Sequence, residues 1–402
     1  MEQRRILVAV TGGIAAYKIP ELVRTLQAAG NLVRCAVTPA ATEFVAPLVL
    51  QTLTGEAVRS SLFDPAQEGE ISHIELADWA ELMIVAPATA NTLAKLTHGL
   101  ADELVSTVAL ATRAPLLVAP AMNVNMWQHP ATQANLVLLR ERGVRVIGPE
   151  AGELACGWEG EGRMSEPQAI AEAAALVLGP RSLAGEVVLV TAGGTREPVD
   201  AVRFLGNRSS GKMGFAVAAE AAQRGADVVL VSGPTSIATP AGVERIEVET
   251  ALEMREAVRS QLARATIVVK AAAVADFRPA RSQARKIRKQ DLPPRAGMTL
   301  KLVRTPDILA EICRDKGERV VVGFAAESWD LVETARRKLQ RKGCDLLVAN
   351  DISRQGSGFD SDSNSVVFVW PGGEVEEIPT LPKREVAAQL LDRVEKLRGG
   401  DA

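Results

Sequence analysis

The sequence predicts an α/β protein made of two halves, each a mainly parallel sheet with helices on both faces. Short β-branched runs at residues 6–10, 32–37, 82–86, 116–119 and 144–147 alternate with helical periodicity, the rhythm of strands joined by crossover helices. These runs are continuously apolar instead of alternating, as expected of strands covered on both sides. The rhythm breaks at Gly179-Pro180-Arg181-Ser182 and restarts after Gly185, and 402 residues is long for one compact core. We place the boundary within 180–186, giving halves of 1–183 and 184–402.

In the first half a helix follows the opening strand as far as Ala29, and a last helical pattern spans 167–178. The second half repeats that opening: a strand at 187–190 leads into Thr191-Ala192-Gly193-Gly194-Thr195, a helix covers 215–224, and the next strand is 227–231. Residues 28–40 and 223–235 read alike, as a glycine closing a helix, then a strand, then a turn; duplication and convergence on one unit both account for this. Further strands fall at 266–270, 320–323 and 346–349, while 365–370 and 374–378 around Pro371-Gly372-Gly373 predict an antiparallel hairpin at a sheet edge. Residues 280–299, rich in Arg, Lys, Gln and Pro, predict a mobile basic loop. Both halves are therefore expected to be Rossmann-like.

A net charge of −3 argues against a nucleic-acid partner. No apolar run approaches a membrane span, and the run at 6–10 is too short for a secretion signal, so we expect a cytoplasmic protein with no membrane partner. Cys35, Cys156, Cys313 and Cys344 are scattered, which suits free thiols and neither a disulfide framework nor a zinc site.

Four stretches carry polar or small residues where ligands bind in such sheets. Thr11-Gly12-Gly13-Ile14 joins a strand to a helix, where backbone N–H groups approach a phosphate, or where a tight turn alone needs glycine. Thr89 and Asn91 end another strand; Thr89 reads equally as a helix cap. Pro120-Ala121-Met122-Asn123-Val124-Asn125-Met126-Trp127 is an unusual composition for a surface turn. Cys156 lies in a glycine-rich stretch, 155–164, that reads as a closing flap or as a loop with an incidental thiol. His73, before a helical stretch, reads as a base or as a packing residue. A nicotinamide dehydrogenase would show G-x-G-x-x-G and an acidic residue about twenty positions later, and neither follows Val10.

Ser-His-Ile-Glu around His73, Pro-Ala-Met-Asn ending at Asn123, Ala-Cys-Gly at Cys156, Asn207-Arg208-Ser209-Ser210-Gly211-Lys212-Met213-Gly214 and Ala272-Ala273-Val274-Ala275-Asp276 occur in this order. Over nearly the whole chain they resemble the bifunctional phosphopantothenoylcysteine decarboxylase/phosphopantothenate–cysteine ligases of coenzyme A synthesis, the first half being similar to flavin-dependent cysteine decarboxylases. The resemblance implies FMN in the first half, held by Gly12, Gly13, Ile14, Thr38, Thr89 and Asn91, with His73 as base or orienting group, Asn123 on the substrate and Cys156 as proton donor. Arg163 is then a substrate or neighbouring-chain contact, or a solvated charge.

For the second half the resemblance implies joining L-cysteine to 4′-phosphopantothenate through an acyl-cytidylate made from CTP. It assigns the nucleotide to Ala271, Ala272, Asp276, Lys286, Pro306, Asp307, Ile308, Leu309, Phe324, Lys338 and Lys342. Asp276 would hold Mg²⁺, Lys286 would meet phosphate charge, and Asn207 would touch the phosphopantothenate or its acyl-cytidylate. The resemblance also implies a homo-oligomer with trimeric decarboxylase and dimeric ligase contacts, a dodecamer. The flap departs little from the family pattern: Trp158 and Glu159 fill positions that vary in the family, Trp127 replaces a smaller aromatic of some relatives, and neither departure touches the reaction. The alternative function is a flavin-binding regulatory protein without turnover.

Overall fold

A computed structural model describes residues 3–62, 72–153, 159–288, 290, 297–327, 330–351 and 361–399. The chain divides into two compact units, Met1–Gly179 and Pro180–Ala402.

The first unit is a sheet of β1 (Arg5–Val10), β2 (Leu32–Val37), β3 (Leu82–Ala88), β4 (Leu116–Pro120) and β5 (Arg145–Val146), all parallel and ordered β2-β1-β3-β4-β5. Its helices are α1 (Ile19–Ala28), α2 (Pro47–Thr54), α3 (Ser72–Trp79), α4 (Ala90–His98), α5 (Leu104–Ala111), α6 (Val124–Gln128), α7 (Pro130–Glu141) and α8 (Pro167–Leu178). Alternate residues of β1 feed opposite cores, because successive side chains of a strand point to opposite faces. Ile6, Val8 and Val10 pack with Leu22 and Leu26 of α1 and Ile170 of α8, whereas Leu7 and Ala9 pack with Leu76 of α3, Val105 of α5 and Leu136 of α7.

The expected single helix after β1 is two elements, a 3₁₀ turn at Ile14–Lys18 and then α1. Pro20 lies in the first turn of α1, where its missing N–H costs nothing and its fixed φ suits a helix start. A short antiparallel pair, β6 (Glu150–Glu153) with β7 (Glu159–Arg163), was not expected from the sequence.

The second unit is a larger sheet, ordered β12-β11-β8-β13-β16-β17-β18-β19. It is built of β8 (Val187–Ala192), β11 (Asp227–Ser232), β12 (Val243–Glu247), β13 (Ile267–Lys270), β16 (Val320–Glu327), β17 (Leu346–Asp351), β18 (Ser363–Val369) and β19 (Val375–Pro382). The strands from β12 to β17 run parallel, and the predicted hairpin, β18 with β19, closes the edge antiparallel. Two small pairs stand apart, β9 (Arg196–Pro198) with β10 (Phe204–Gly206) and β14 (Phe277–Pro279) with β15 (Leu302–Arg304).

The helices are α9 (Lys212–Gln223), α10 (Ala251–Gln261), α11 (Ile308–Arg314), α12 (Leu331–Lys342) and α13 (Lys383–Gly399). One face of the sheet buries Leu189, Val229, Val268 and Val321 under Met254 of α10, Ile312 of α11 and Leu339 of α12. Across α9 and α13, Arg224 pairs with Asp392 and Glu395, each at 2.8 Å.

The basic stretch at 280–299 is less free than its composition suggests. Ala280 N–H donates to the Lys301 carbonyl at 2.8 Å, Gln283 N–H to Val199 at 3.0 Å, and Ile287 N–H to Asp200 Oδ2 at 3.1 Å. Residues 289 and 291–296 lie outside the described residues. Among the described residues no helix is long and apolar enough to cross a membrane.

Candidate active sites

In the first unit the strand order reverses between β1 and β3, and an open α/β sheet forms its ligand crevice at the carboxyl ends beside such a reversal. Gly12 follows β1 under Ala40: a Cβ there would stand 2.5 Å from the Ala40 Cβ. Thr11 Oγ1 donates to the Pro87 carbonyl at 2.5 Å, tying the loop after β1 to the end of β3. Thr38 N–H donates to the Val10 carbonyl at 2.9 Å, bringing the end of β2 alongside. The Thr38 hydroxyl caps the short helix Pro39–Glu43, and the Thr89 hydroxyl caps α4 by accepting from Thr92 N–H at 3.2 Å. The cap reading of Thr89 is therefore realised, and it aims the start of α4 at the same edge. Gly12, Gly13, Ile14, Thr38, Thr89 and Asn91 thus gather at three neighbouring strand ends, with Ile14 and Asn91 exposed. Small residues, hydroxyls and helix-start N–H groups in one cradle suit the phosphate of a flavin nucleotide.

Asn123 follows β4 and caps α6, accepting from Asn125 N–H at 2.8 Å. The β6–β7 pair sits directly on this segment. Met122 N–H donates to the Gly162 carbonyl at 3.0 Å, Trp127 Nε1 to Glu161 at 3.1 Å, and a Cβ on Gly160 would lie 2.9 Å from Val124. Cys156 and Trp158 fall outside the described residues, but the two strands that flank them are thereby docked beside Asn123. Arg163 is not simply solvated: with Lys18 it pairs with Glu166, at 2.7 and 2.8 Å. Lys18 first, then Arg163, hold the Glu166 carboxyl below the usual carboxylate range. His73 is half-buried in the first turn of α3. Because α3 runs back to the start of β3, that turn lies toward the carboxyl edge.

In the second unit the order reverses between β8 and β13. Gly193 adopts φ +77°, a conformation that favours glycine, with its Cβ direction 3.2 Å from the Gly233 carbonyl. Ala273 N–H donates to the Gly193 carbonyl at 2.9 Å, and the Asn207 amide donates to the carbonyls of Ala273 and Val274 at 3.4 and 3.2 Å. Asn207 therefore stands at the reversal. The N–H groups of Ala271 and Ala272 are taken by Thr191, the Ala272 carbonyl accepts from Lys270 Nζ at 3.2 Å, and Ala272 itself is buried in the core.

Four of the predicted nucleotide residues lie near one that the sequence did not single out, Lys270. Asp276, Asp307, Lys338 and Lys342 all lie close enough to act on its charge; burial, then repulsion by Lys338, brings its ammonium pKa down to about 8. Asp307 caps α11 and pairs with Lys342. Burial opposes ionisation of Asp307, but Lys342 and the Ala310 N–H outweigh it and keep its carboxyl below the usual range.

Ile308 and Leu309 are buried, 3% and 4% exposed, so their side chains belong to the core and are not available to a ligand. Phe324 is half-buried in β16, and Pro306 precedes the α11 cap. Lys286 is exposed, without a hydrogen bond or ion pair among the described residues, and no such contact brings it to the Lys270 group. Its segment is nonetheless held by Asp200. Burial works against that carboxylate, yet N–H groups of Val202, Arg203 and Ile287 together hold it below its ordinary range. Asp276 is exposed, and among the described residues no cluster of three metal-ligating side chains exists; one carboxylate beside a triphosphate is what Mg²⁺ accepts.

Residues 1–178 match the flavoprotein family, and 183–397 match the DNA/pantothenate metabolism flavoprotein C-terminal domain. The chain is 48% identical over 390 residues to the coenzyme A biosynthesis bifunctional protein CoaBC of Escherichia coli strain K12, covering 96% of this chain and 95% of that one. It is 45% identical over 401 residues to the protein of the same name from Bacillus subtilis strain 168, covering 99% and 98%. Among solved structures, the C-terminal domain of a coenzyme A biosynthesis bifunctional protein CoaBC shares 39% identity at a TM-score of 0.46, covering 54% of this chain and 97% of that one. A PPC decarboxylase mutant complexed with pantothenoylaminoethenethiol shares 34% at 0.40, covering 44% and 99%.

Two mainly parallel α/β units, each with its strand order reversing once and the first a flavoprotein domain, define a two-domain flavoprotein enzyme. The chain belongs to the family of coenzyme A biosynthesis bifunctional proteins and carries both decarboxylase and ligase activities. This sets aside the regulatory protein without turnover.

Proposed function

We propose that the second unit joins L-cysteine to 4′-phosphopantothenate with CTP and Mg²⁺, and that the first unit, with FMN, decarboxylates the resulting 4′-phospho-N-pantothenoylcysteine to 4′-phosphopantetheine. A carboxylate does not accept an amine until it carries a leaving group. The carboxylate of 4′-phosphopantothenate attacks the α-phosphorus of CTP, pyrophosphate departs, and the cysteine amine then displaces CMP from the acyl-cytidylate. Lys338, Lys342 and Lys286 meet phosphate charge, and Asp276 would hold Mg²⁺ against the triphosphate. Pro306, Asp307 and the backbone of Ile308 and Leu309 border the nucleotide with Ala271, Ala272 and Phe324, while Asn207 orients the acyl group. The observation that most supports this reading is that Asp307 pairs with Lys342 at the start of α11, while Asp276 and Lys338 lie near enough to act with them on the charge of Lys270 at the end of β13.

FMN, in the cradle of Gly12, Gly13, Ile14, Thr38, Thr89 and Asn91, would supply the two-electron oxidation of the cysteinyl thiol and the later return of those electrons. His73 takes or orients the proton of the first step. Asn123 holds the substrate carboxylate or amide. Cys156 donates the proton when the enethiol is reduced, and the docking of its flanking strands beside Asn123 supports this role. Arg163 stays with Glu166 and steadies the hairpin.

The protein acts in the cytoplasm, which the free thiols of Cys35, Cys313 and Cys344 support. It assembles as a homo-oligomer through trimeric first-unit and dimeric second-unit contacts, as a dodecamer. Exposed Tyr17, Phe44 and Leu48 in one unit, and Val202, Phe204, Phe277 and Leu302 in the other, support two such surfaces.

The test supplies purified protein and a Cys156→Ser variant with 4′-phosphopantothenate, cysteine, CTP and Mg²⁺. A yellow protein releasing pyrophosphate, CO₂ and 4′-phosphopantetheine, with the variant stalling at the enethiol, is the expected result. Colourless protein without CO₂ release would sink the flavin reading, and turnover without pyrophosphate would sink the cytidylate step.

A further inference from the structure

Lys270 ends β13 at the carboxyl edge of the second unit, beside the reversal between β8 and β13. The rest of that strand, Ile267, Val268 and Val269, is wholly buried, so an ammonium here is held partly out of water at the end of a central strand. It has little local compensation. Lys270 Nζ donates to the Ala272 carbonyl at 3.2 Å, and among the described residues no carboxylate forms an ion pair with it. Among the charges that act on it are Asp276 beyond its own strand, Asp307 at the start of α11, and Lys338 and Lys342 on α12. Asp307 is already matched to Lys342. With Asp307 matched elsewhere, the Lys270 ammonium at the end of β13 has a backbone carbonyl for its partner and, among the described residues, no ion-paired carboxylate of its own. A desolvated ammonium in that position is costly by itself and is compensated when an anion arrives.

We propose that Lys270 is a further phosphate-binding residue of the ligase, its ammonium receiving the polyphosphate of the nucleotide substrate. This rests on the reading that the second unit binds CTP. A merely structural lysine would serve only to hold the Ala272 carbonyl, and that role can be separated from the charge. Lys270→Gln keeps an N–H donor for Ala272 but carries no charge. Lys270→Met removes both, and Lys270→Arg retains charge.

The experiment measures CTP and CMP binding by calorimetry on the full-length protein, ligase kinetics, and melting without nucleotide. Lys270→Gln and Lys270→Met should each weaken CTP binding and raise its KM by about tenfold or more, the scale of one charge-assisted phosphate contact, and should flatten its salt dependence. CMP binding and the KM for cysteine should change by less than about threefold, since one phosphate-directed cation is lost and nothing else. Lys270→Arg should recover most of the CTP affinity, and the melting temperature of Lys270→Met should hold or rise.

Wild-type CTP affinity in Lys270→Gln would overturn the proposal. So would equal losses of CTP, CMP and melting temperature, which mark a structural residue. Should Lys270→Met not fold, Lys270→Gln alone decides. A wild-type protein that neither binds nor uses CTP would instead overturn the ligase reading on which the proposal stands.

Discussion

Gly12 and Gly13 are neighbours after β1, yet the space around them differs. A Cβ on Gly12 meets the Ala40 Cβ at 2.5 Å and the Ala40 carbonyl carbon at 3.0 Å, so the loop must move. On Gly13 the nearest atom is Thr89 Cγ2 at 3.6 Å, an ordinary contact. Gly12→Ala should therefore cost about 1–3 kcal/mol by overpacking and purify with less than about half the bound flavin, whereas Gly13→Ala keeps its colour and melting temperature. Flavin absorbance per chain and a thermal melt check both, and equal behaviour of the two variants would refute the steric argument. The glycine pair was legible in the sequence as a strand–helix motif; which of the two lacks space was not, because Ala40 arrives from the loop after β2. Lys270 shows the same limit. A lysine closing an apolar run carries no motif, and only folding brings Asp276, Asp307, Lys338 and Lys342 close enough to act on its charge.

The β6–β7 hairpin is the element on which the decarboxylase reading most depends. Its position rests on the Met122–Gly162 backbone bond, the Trp127–Glu161 bond and the fit of Gly160 against Val124. Gly160 also has φ +150°, which side-chain-bearing residues rarely adopt. Gly160→Ala should lift the hairpin from α6 and lower CO₂ release by about tenfold, the scale of a misplaced catalytic group, with pyrophosphate release unchanged. Loss of both activities together would mean general misfolding instead. The glycine-rich flap was expected from the sequence, but its paired arms were not. Glu150–Glu153 and Glu159–Arg163 hold no β-branched residue and no apolar alternation, so nothing local announces strands. The basic stretch failed in the opposite sense: its composition suggests mobility, while Asp200 and Val199, about ninety positions earlier in sequence, hold residues 283 and 287.

At the scale of the molecule, each unit carries its own core: two hydrophobic clusters flank the sheet of the first, and a separate one lies under α10, α11 and α12 in the second. Units with independent cores unfold as separate cooperative transitions. Scanning calorimetry should show at least two, with CTP and Mg²⁺ raising one and flavin removal lowering the other, because a ligand stabilises only the unit that binds it. A single transition shifted as a whole by either ligand would contradict this. The sequence by itself determined the fold class, the restart near residue 180 and the small-residue strand ends, because apolar periodicity, glycine and proline act over a few residues and leave a local record. Tertiary structure alone decided the strand orders, hence where each crevice opens, which glycine is sterically required, that Ile308 and Leu309 belong to the core, and which charges share a pocket. Those outcomes depend on chain segments far apart in sequence meeting at one sheet edge, and no single segment encodes the company it will keep.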